Sequence, residues 1–157
     1  MRLHDSDGAF VNGARLFRHV GEKGFQFGSV LGVFLVAPIV WYRGRSTGGT
    51  SASSLLRSVG ISTLGGMAFA TALGASRVAS IPKEERADGL QDRAYRLHYN
   101  KGQNRTDLFA RVGMTLGGAA AMLYVSNAAL VVLGGAGIGA AAGIMAHAAT
   151  ANTSAKK

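Results

Sequence analysis

Apolar residues fall in four blocks along this chain, and within each block large side chains alternate with glycine and alanine where a soluble helix would place charge. The first block, residues 24–42, reads GFQFGSVLGVFLVAPIVWY and sets Gly24, Gly28 and Gly32 one helical turn apart. The second, residues 55–79, carries Gly60, Gly65, Gly66 and Gly74. The third, residues 108–124, repeats the four-residue spacing at Gly113, Gly117 and Ala121, and the fourth, residues 128–147, contains GAGIGAAAG with Gly135, Gly139 and Gly143 in the same register. Each block is close to the roughly 20 residues a helix needs to cross the hydrocarbon of a bilayer.

The glycines decide the solvent. Five glycines between Gly134 and Gly143 would each cost an exposed helix roughly 1 kcal/mol relative to alanine. In lipid the backbone must satisfy its own hydrogen bonds, and glycines four apart let two helix backbones approach closely. A flexible linker would carry serine and charge, whereas this stretch carries Leu130, Val131, Val132, Leu133, Ile138, Ile144 and Met145. Helix-packing faces are therefore expected at Gly28 and Gly32, at Gly65, at Gly113 and Gly117, and at Gly135, Gly139 and Gly143.

Polar residues punctuate the blocks. Trp41 and Tyr42, followed by Arg43 and Arg45, mark an exit through the headgroups, and Pro38 predicts a kink just before it. Ser53 or Ser54 caps the second block and Thr106 or Asp107 the third, with Arg57 and Arg111 in the opening turns, placed to snorkel. The link at Ser126 and Asn127 is so short that the third and fourth helices must pack antiparallel.

The polar stretch 80–107 predicts a short helix opened by Pro82 and closed near Asn100 to Gly102. Asp92 and Arg96 are spaced to pair along it, and Leu90, Ala94 and Leu97 form a narrow apolar stripe. It reads either as an interfacial or partner-binding helix or as a solvated loop. Residues 1–23 form an interfacial segment, with Phe10, Ala14, Phe17 and Val20 at helical spacing among Arg15, Arg18, His19 and Lys23. The fold expected is all-α: a glycine-rich bundle of four transmembrane helices over residues 24–147, with a short amphipathic helix between helices two and three and a C-terminal tail at 148–157.

Composition sharpens this picture. The chain has 157 residues, of which 48% are hydrophobic and 16% charged, well under the usual quarter. It has no cysteine, so disulfides, thiolate nucleophiles and cysteine-ligated metals are excluded. The net charge of +9 would suit any anionic partner, but the cations sit at the ends of apolar blocks. That placement points to anionic lipids such as cardiolipin and to membrane partners, not nucleic acid, with contacts expected at Arg43, Arg45, Arg93, Arg96 and Arg111.

Asp5 and Asp7 precede any apolar run, the pattern of neither a secretory signal nor an acid-poor transit peptide. Either the address is internal or a presequence has been removed. Of the seventeen Lys and Arg, only Arg43, Arg45 and Arg57 flank the first loop, so the count places both termini on the positive side. Those three are unopposed by acids, so orientation stays open.

No catalytic, cofactor-binding or metal-binding residues are expected. His4, His19, His98 and His147 lack ligand spacing beside a carboxylate. GGAGIGAAAG lacks the preceding strand and following Lys-Ser/Thr of a phosphate loop, and no Asp or Glu lies at mid-membrane depth, where a proton relay would have one.

The light faces GFQFGSVLG, VGISTLGG, RVGMTLGG and GAGIGAAAG, with Arg111 and Gly113 followed by Gly117 and Gly118, resemble the preprotein and amino-acid transporter family of mitochondria and plastids. The resemblance covers roughly residues 21–147. It implies a multi-pass protein of the mitochondrial inner membrane that is a non-catalytic accessory subunit of a respiratory complex, NADH:ubiquinone oxidoreductase (complex I), surrounded by other membrane subunits. The alternative within the family is a protein translocase or solute-channel subunit, for which Ser58, Ser62, Thr63 and Thr115 would line a polar stripe. An unrelated peroxisomal or bacterial membrane protein is a third possibility. Members typically place both termini in the intermembrane space, opposite to the charge count.

Overall fold

Nothing between Val11 and Gly24 interrupts a helix, and the first apolar block does not start one of its own. In the computed structural model, which describes residues 3–154, helix α1 (Leu3–Leu31) runs from the basic segment directly into the apolar block. It passes through a π-helical turn (Gly32–Val36) into α2 (Ala37–Gly44). The kink expected at Pro38 takes this form. Proline removes a donor and its ring crowds the carbonyl four residues back; one widened turn just before it, in which the Ala37 N–H donates to Gly32 five residues earlier, relieves both.

A 3-10 turn (Arg45–Thr47) and two glycines with positive φ, Gly48 at 97° and Gly49 at 103°, reverse the chain into α3 (Ala52–Ala79). Its cap is Ser51, whose hydroxyl accepts from the Ser54 N–H at 3.2 Å, two residues before the earlier of the two serines expected. Pro82 opens a turn, Glu85 N–H to Pro82 O at 3.1 Å, and α4 (Arg86–Tyr99) begins after it. Asn100 then serves two helices: its N–H closes α4 on Leu97, and its side chain accepts from the Gln103 N–H at 3.1 Å to start α5 (Lys101–Tyr124). Asp107, expected as a cap, therefore lies inside a helix. The last helix, α6 (Ala129–Ser154), continues over most of the expected tail; Lys156 and Lys157 lie outside the described residues.

Glycine packs the helices in pairs. A Cβ on Gly28 would sit 2.5 Å from the Ser62 carbonyl oxygen, one on Gly66 2.5 Å from that of Gly24, and one on Gly32 3.1 Å from Val59, so α1 and α3 run antiparallel with backbones touching. Gly65 does not take part: a Cβ there meets nothing. One residue is about 100° of helix rotation, and that turns Gly66 to the seam and Gly65 away. In the second pair Gly113 lies under the Gly139 carbonyl, Gly117 under that of Gly135, and Gly143 against Phe109, the antiparallel contact that the short link requires. Helix α6 joins the pairs, with Gly134 on Leu56 of α3 and Gly137 among Val59, Thr63 and Ser29.

The interior is accordingly light. Its largest fully buried side chains are Val59, Thr63 and Ser29, while Phe34, Phe69 and Leu116 are 59%, 62% and 67% exposed. That inverts the order of a water-soluble protein. Three helical stretches, Val11–Gly44, Ala52–Ala79 and Ala129–Ala151, are long and apolar enough to cross a membrane, and the chain reads as a membrane-spanning protein. The apolar stripe of α4 is covered by its own chain: Leu90 is buried, 3.9 Å from the Cβ position of Gly13.

Candidate functional site

His19, Lys23, Gln26 and Ser29 recur at three- and four-residue spacing and so share one face of α1. That face turns inward: Gln26 and Ser29 are buried, and His19 and Lys23 are half-buried. Opposite stands Asp107 of α5, 3% exposed. The Lys23 ammonium donates to Asp107 Oδ1, the Gln26 amide donates to the same oxygen at 2.9 Å, and Lys23 also donates to Gln26 Oε1 at 3.0 Å. His19 Nδ1 lies 3.7 Å from Asp107 Oδ2, and Gln103 Nε2 is 2.9 Å from His19 Nε2. With Gln103 donating, the ring proton sits on Nδ1 and faces the carboxylate.

Burial pushes the Asp107 carboxyl up, but the hydrogen bonds from Lys23 and Gln26, with the charges of Lys23 and His19, outweigh burial and hold it below its ordinary value. Beside it Arg111 binds both oxygens of Glu22, at 2.6 and 2.7 Å. The two clusters tie α1 to α5 at the end of the bundle that also carries α4. Deeper along the same face, Ser29 donates to Phe25 O at 2.8 Å and Thr63 to Val59 O at 2.9 Å.

A cleft of about 520 Å³ opens beside this cluster. Val11, Ala14, Arg15, Arg18, His19 and Glu22 of α1 form one wall, Ala94 and Leu97 of α4 a second, and Asn104, Asp107 and Arg111 of α5 the third. Among the described residues, no three of His, Asp and Glu converge as metal ligands. His147 lies against Phe109, ring centroids 5.6 Å apart, with its Nδ1 buried and unbonded. The side chains of His4 and His98 lie outside the described residues.

The arginines expected at a partner or lipid surface are not gathered in one place. Arg43 and Arg45 are exposed at the far end of the bundle, with the Arg45 guanidinium 3.8 Å from the Trp41 ring centroid. Arg93 and Arg96 are exposed on α4, and Arg96 pairs with Asp92 at 3.0 Å. Arg111, half of whose side chain is exposed, is engaged by Glu22. The hydroxyls weighed as a pore lining donate instead to backbone: Ser58 to Leu55, Ser62 to Gly28, Thr63 to Val59 and Thr115 to Arg111. Thr115 faces outward, so no continuous polar line joins them.

Sequence reasoning missed Lys23, Gln26 and Asp107 as a unit. The signal was the spacing of residues 19, 23, 26 and 29, a polar stripe entering an apolar block, with one acid at the start of another block to answer it.

Light backbone seams, a lipid-like exterior and a polar end whose buried acid is answered internally together define a helical membrane protein. The chain belongs to the family described as Protein of unknown function (DUF1757), whose model matches residues 13–152. That span contains every residue of the polar cluster and cleft from Ala14 to Arg111. No curated protein matches the chain.

Proposed function

We propose that this protein is a non-catalytic structural subunit of a mitochondrial inner-membrane respiratory complex, namely complex I, with α1–α2, α3, α5 and α6 as four crossings. One observation carries the structural role: the interior is closed by backbone contact, and the polar groups of its cluster answer one another. Gln26, Ser29, Thr63 and Asp107, the polar residues buried as a whole among those described, all have internal partners. What remains for recognition is the outside, an apolar belt and the exposed cations of α1, α4 and the α2 end. The choice of complex rests on the resemblance of the light helix faces alone.

The test is co-migration. Tagged protein extracted in mild detergent is expected to run on a native gel in a band carrying NADH dehydrogenase activity, far above its own 16.2 kDa. Migration alone, or conductance of the pure protein in planar bilayers, would overturn this reading and favour the channel class. The charge reversal R93E/R96E should lower complex yield about tenfold, the equivalent of 1.4 kcal/mol at one contact. The bundle should stay folded, because reversing an exposed pair such as Asp92–Arg96 costs only a few tenths of a kcal/mol.

A further inference from the structure

The cleft between α1, α4 and α5 has a polarity that the bundle itself does not use. Its two acids are already answered, Glu22 by Arg111 and Asp107 by Lys23 and Gln26. Arg15 and Arg18 also line it, both are exposed, and neither has a partner among the described residues. Three residues apart, they are neighbours on one helix face. A guanidinium binds phosphate bidentately, and two of them side by side suit a doubly charged or bridged phosphate. Beside the arginines the wall is Val11, Ala14, Ala94 and Leu97, a lining that suits the glycerol and first methylenes of a lipid and not a fully hydrated ion.

We propose that this cleft binds the phosphate headgroup of an anionic phospholipid, with Arg15 and Arg18 as the ligands of the phosphate. The cleft's α1 wall is the basic stretch that precedes the apolar block at residues 24–42, the kind of segment that meets headgroups beside a spanning helix. Anionic lipid draws cations at that depth, each worth enough to be measured singly. The inference rests on the membrane-spanning part of the proposed function and not on which complex the protein joins.

The test uses the full chain in detergent micelles and counts retained lipid by native mass spectrometry, with cardiolipin, phosphatidylglycerol and phosphatidylcholine offered in turn. The wild type should keep one anionic lipid in preference to phosphatidylcholine. R15Q/R18Q should weaken that binding about thirtyfold, and either single substitution about fivefold, from the usual contribution of one cation near anionic lipid. The remote pair R43Q/R45Q should leave it unchanged, and the melting temperature of each variant shows that the fold is kept; if the double variant unfolds, the single ones decide. Equal loss from R43Q/R45Q, or no loss from R15Q, R18Q and their combination, would overturn the proposal. So would displacement of the lipid by millimolar inorganic phosphate, which would make the free ion the ligand. Co-migration with another complex, or none, leaves the lipid count untouched, so the two readings fail separately.

Discussion

Asp107 is the residue on which the polar end turns, because among the described residues it is the one acid buried in the bundle's interior. Replacing it with leucine removes the acceptor that Lys23 and Gln26 share and leaves Lys23 only Gln26 Oε1. The Lys23 side chain is 31% exposed and can turn toward water, so the expected loss is about 1–3 kcal/mol, less than for a fully sealed pair. Thermal unfolding in detergent would measure it, and a loss below about 0.5 kcal/mol would show the cluster to be inert. The same group gives a pH dependence of definite sign. Its folded carboxyl lies below the unfolded value of about 4, so its contribution is complete above that value and disappears as pH falls through the lower folded one. The gap in melting temperature between wild type and Asp107→Asn should therefore be wide near neutrality and close in strong acid. A gap that widens on acidification would contradict the assignment. Arg111 and Glu22, more exposed, should show a coupling of only about 0.5–1 kcal/mol in a double-mutant cycle.

At the scale of elements, glycines are not interchangeable, and neighbouring ones separate the two possible effects. Gly139→Ala drives a methyl into the Gly113 carbonyl and should destabilise the α5–α6 pair by about 1–3 kcal/mol. Gly65→Ala meets open space and should be neutral or stabilising by up to about 1 kcal/mol, the helix propensity of alanine over glycine. Comparing the two melting temperatures checks the seam directly. The four blocks, the antiparallel third and fourth helices and most glycine faces were legible in the sequence, because small-residue periodicity reports a helix whatever packs on it. The choice between Gly65 and Gly66 was not, since the facing helix fixes which of two adjacent glycines is inside. The starts of α1 and α5 were hidden for a related reason. Lys23, Asp107 and their neighbours read as polar punctuation in one dimension, and only the opposing helix reveals that they face each other. The α4 stripe, Leu90 to Leu97, likewise gave its amphipathicity but not its occupant, which is α1.

For the whole molecule the number of crossings turns on how α5 lies against α6. Composition singles out three spans, and α5 falls outside them because its entry carries Asp107 and Arg111. Both charges are nevertheless answered, by Lys23 and Glu22, which removes much of the cost of bringing them near lipid. Moreover, α5 lies antiparallel along α6 from the Phe109–Gly143 contact to the Ala121–Gly135 contact, so any plane that α6 crosses over that length cuts α5 as well. The proposed four-crossing topology thus sets Ser46 and Asn127 on one face and Gln91 and Lys101 on the other. The chain has no cysteine, so single cysteines at these four positions can be probed with an impermeant thiol reagent in sealed vesicles. Ser46→Cys and Asn127→Cys should label together, and Gln91→Cys and Lys101→Cys only after the vesicles are opened, or the reverse, which also fixes the orientation. Labelling of Asn127→Cys in step with Lys101→Cys would mean that α5 does not cross.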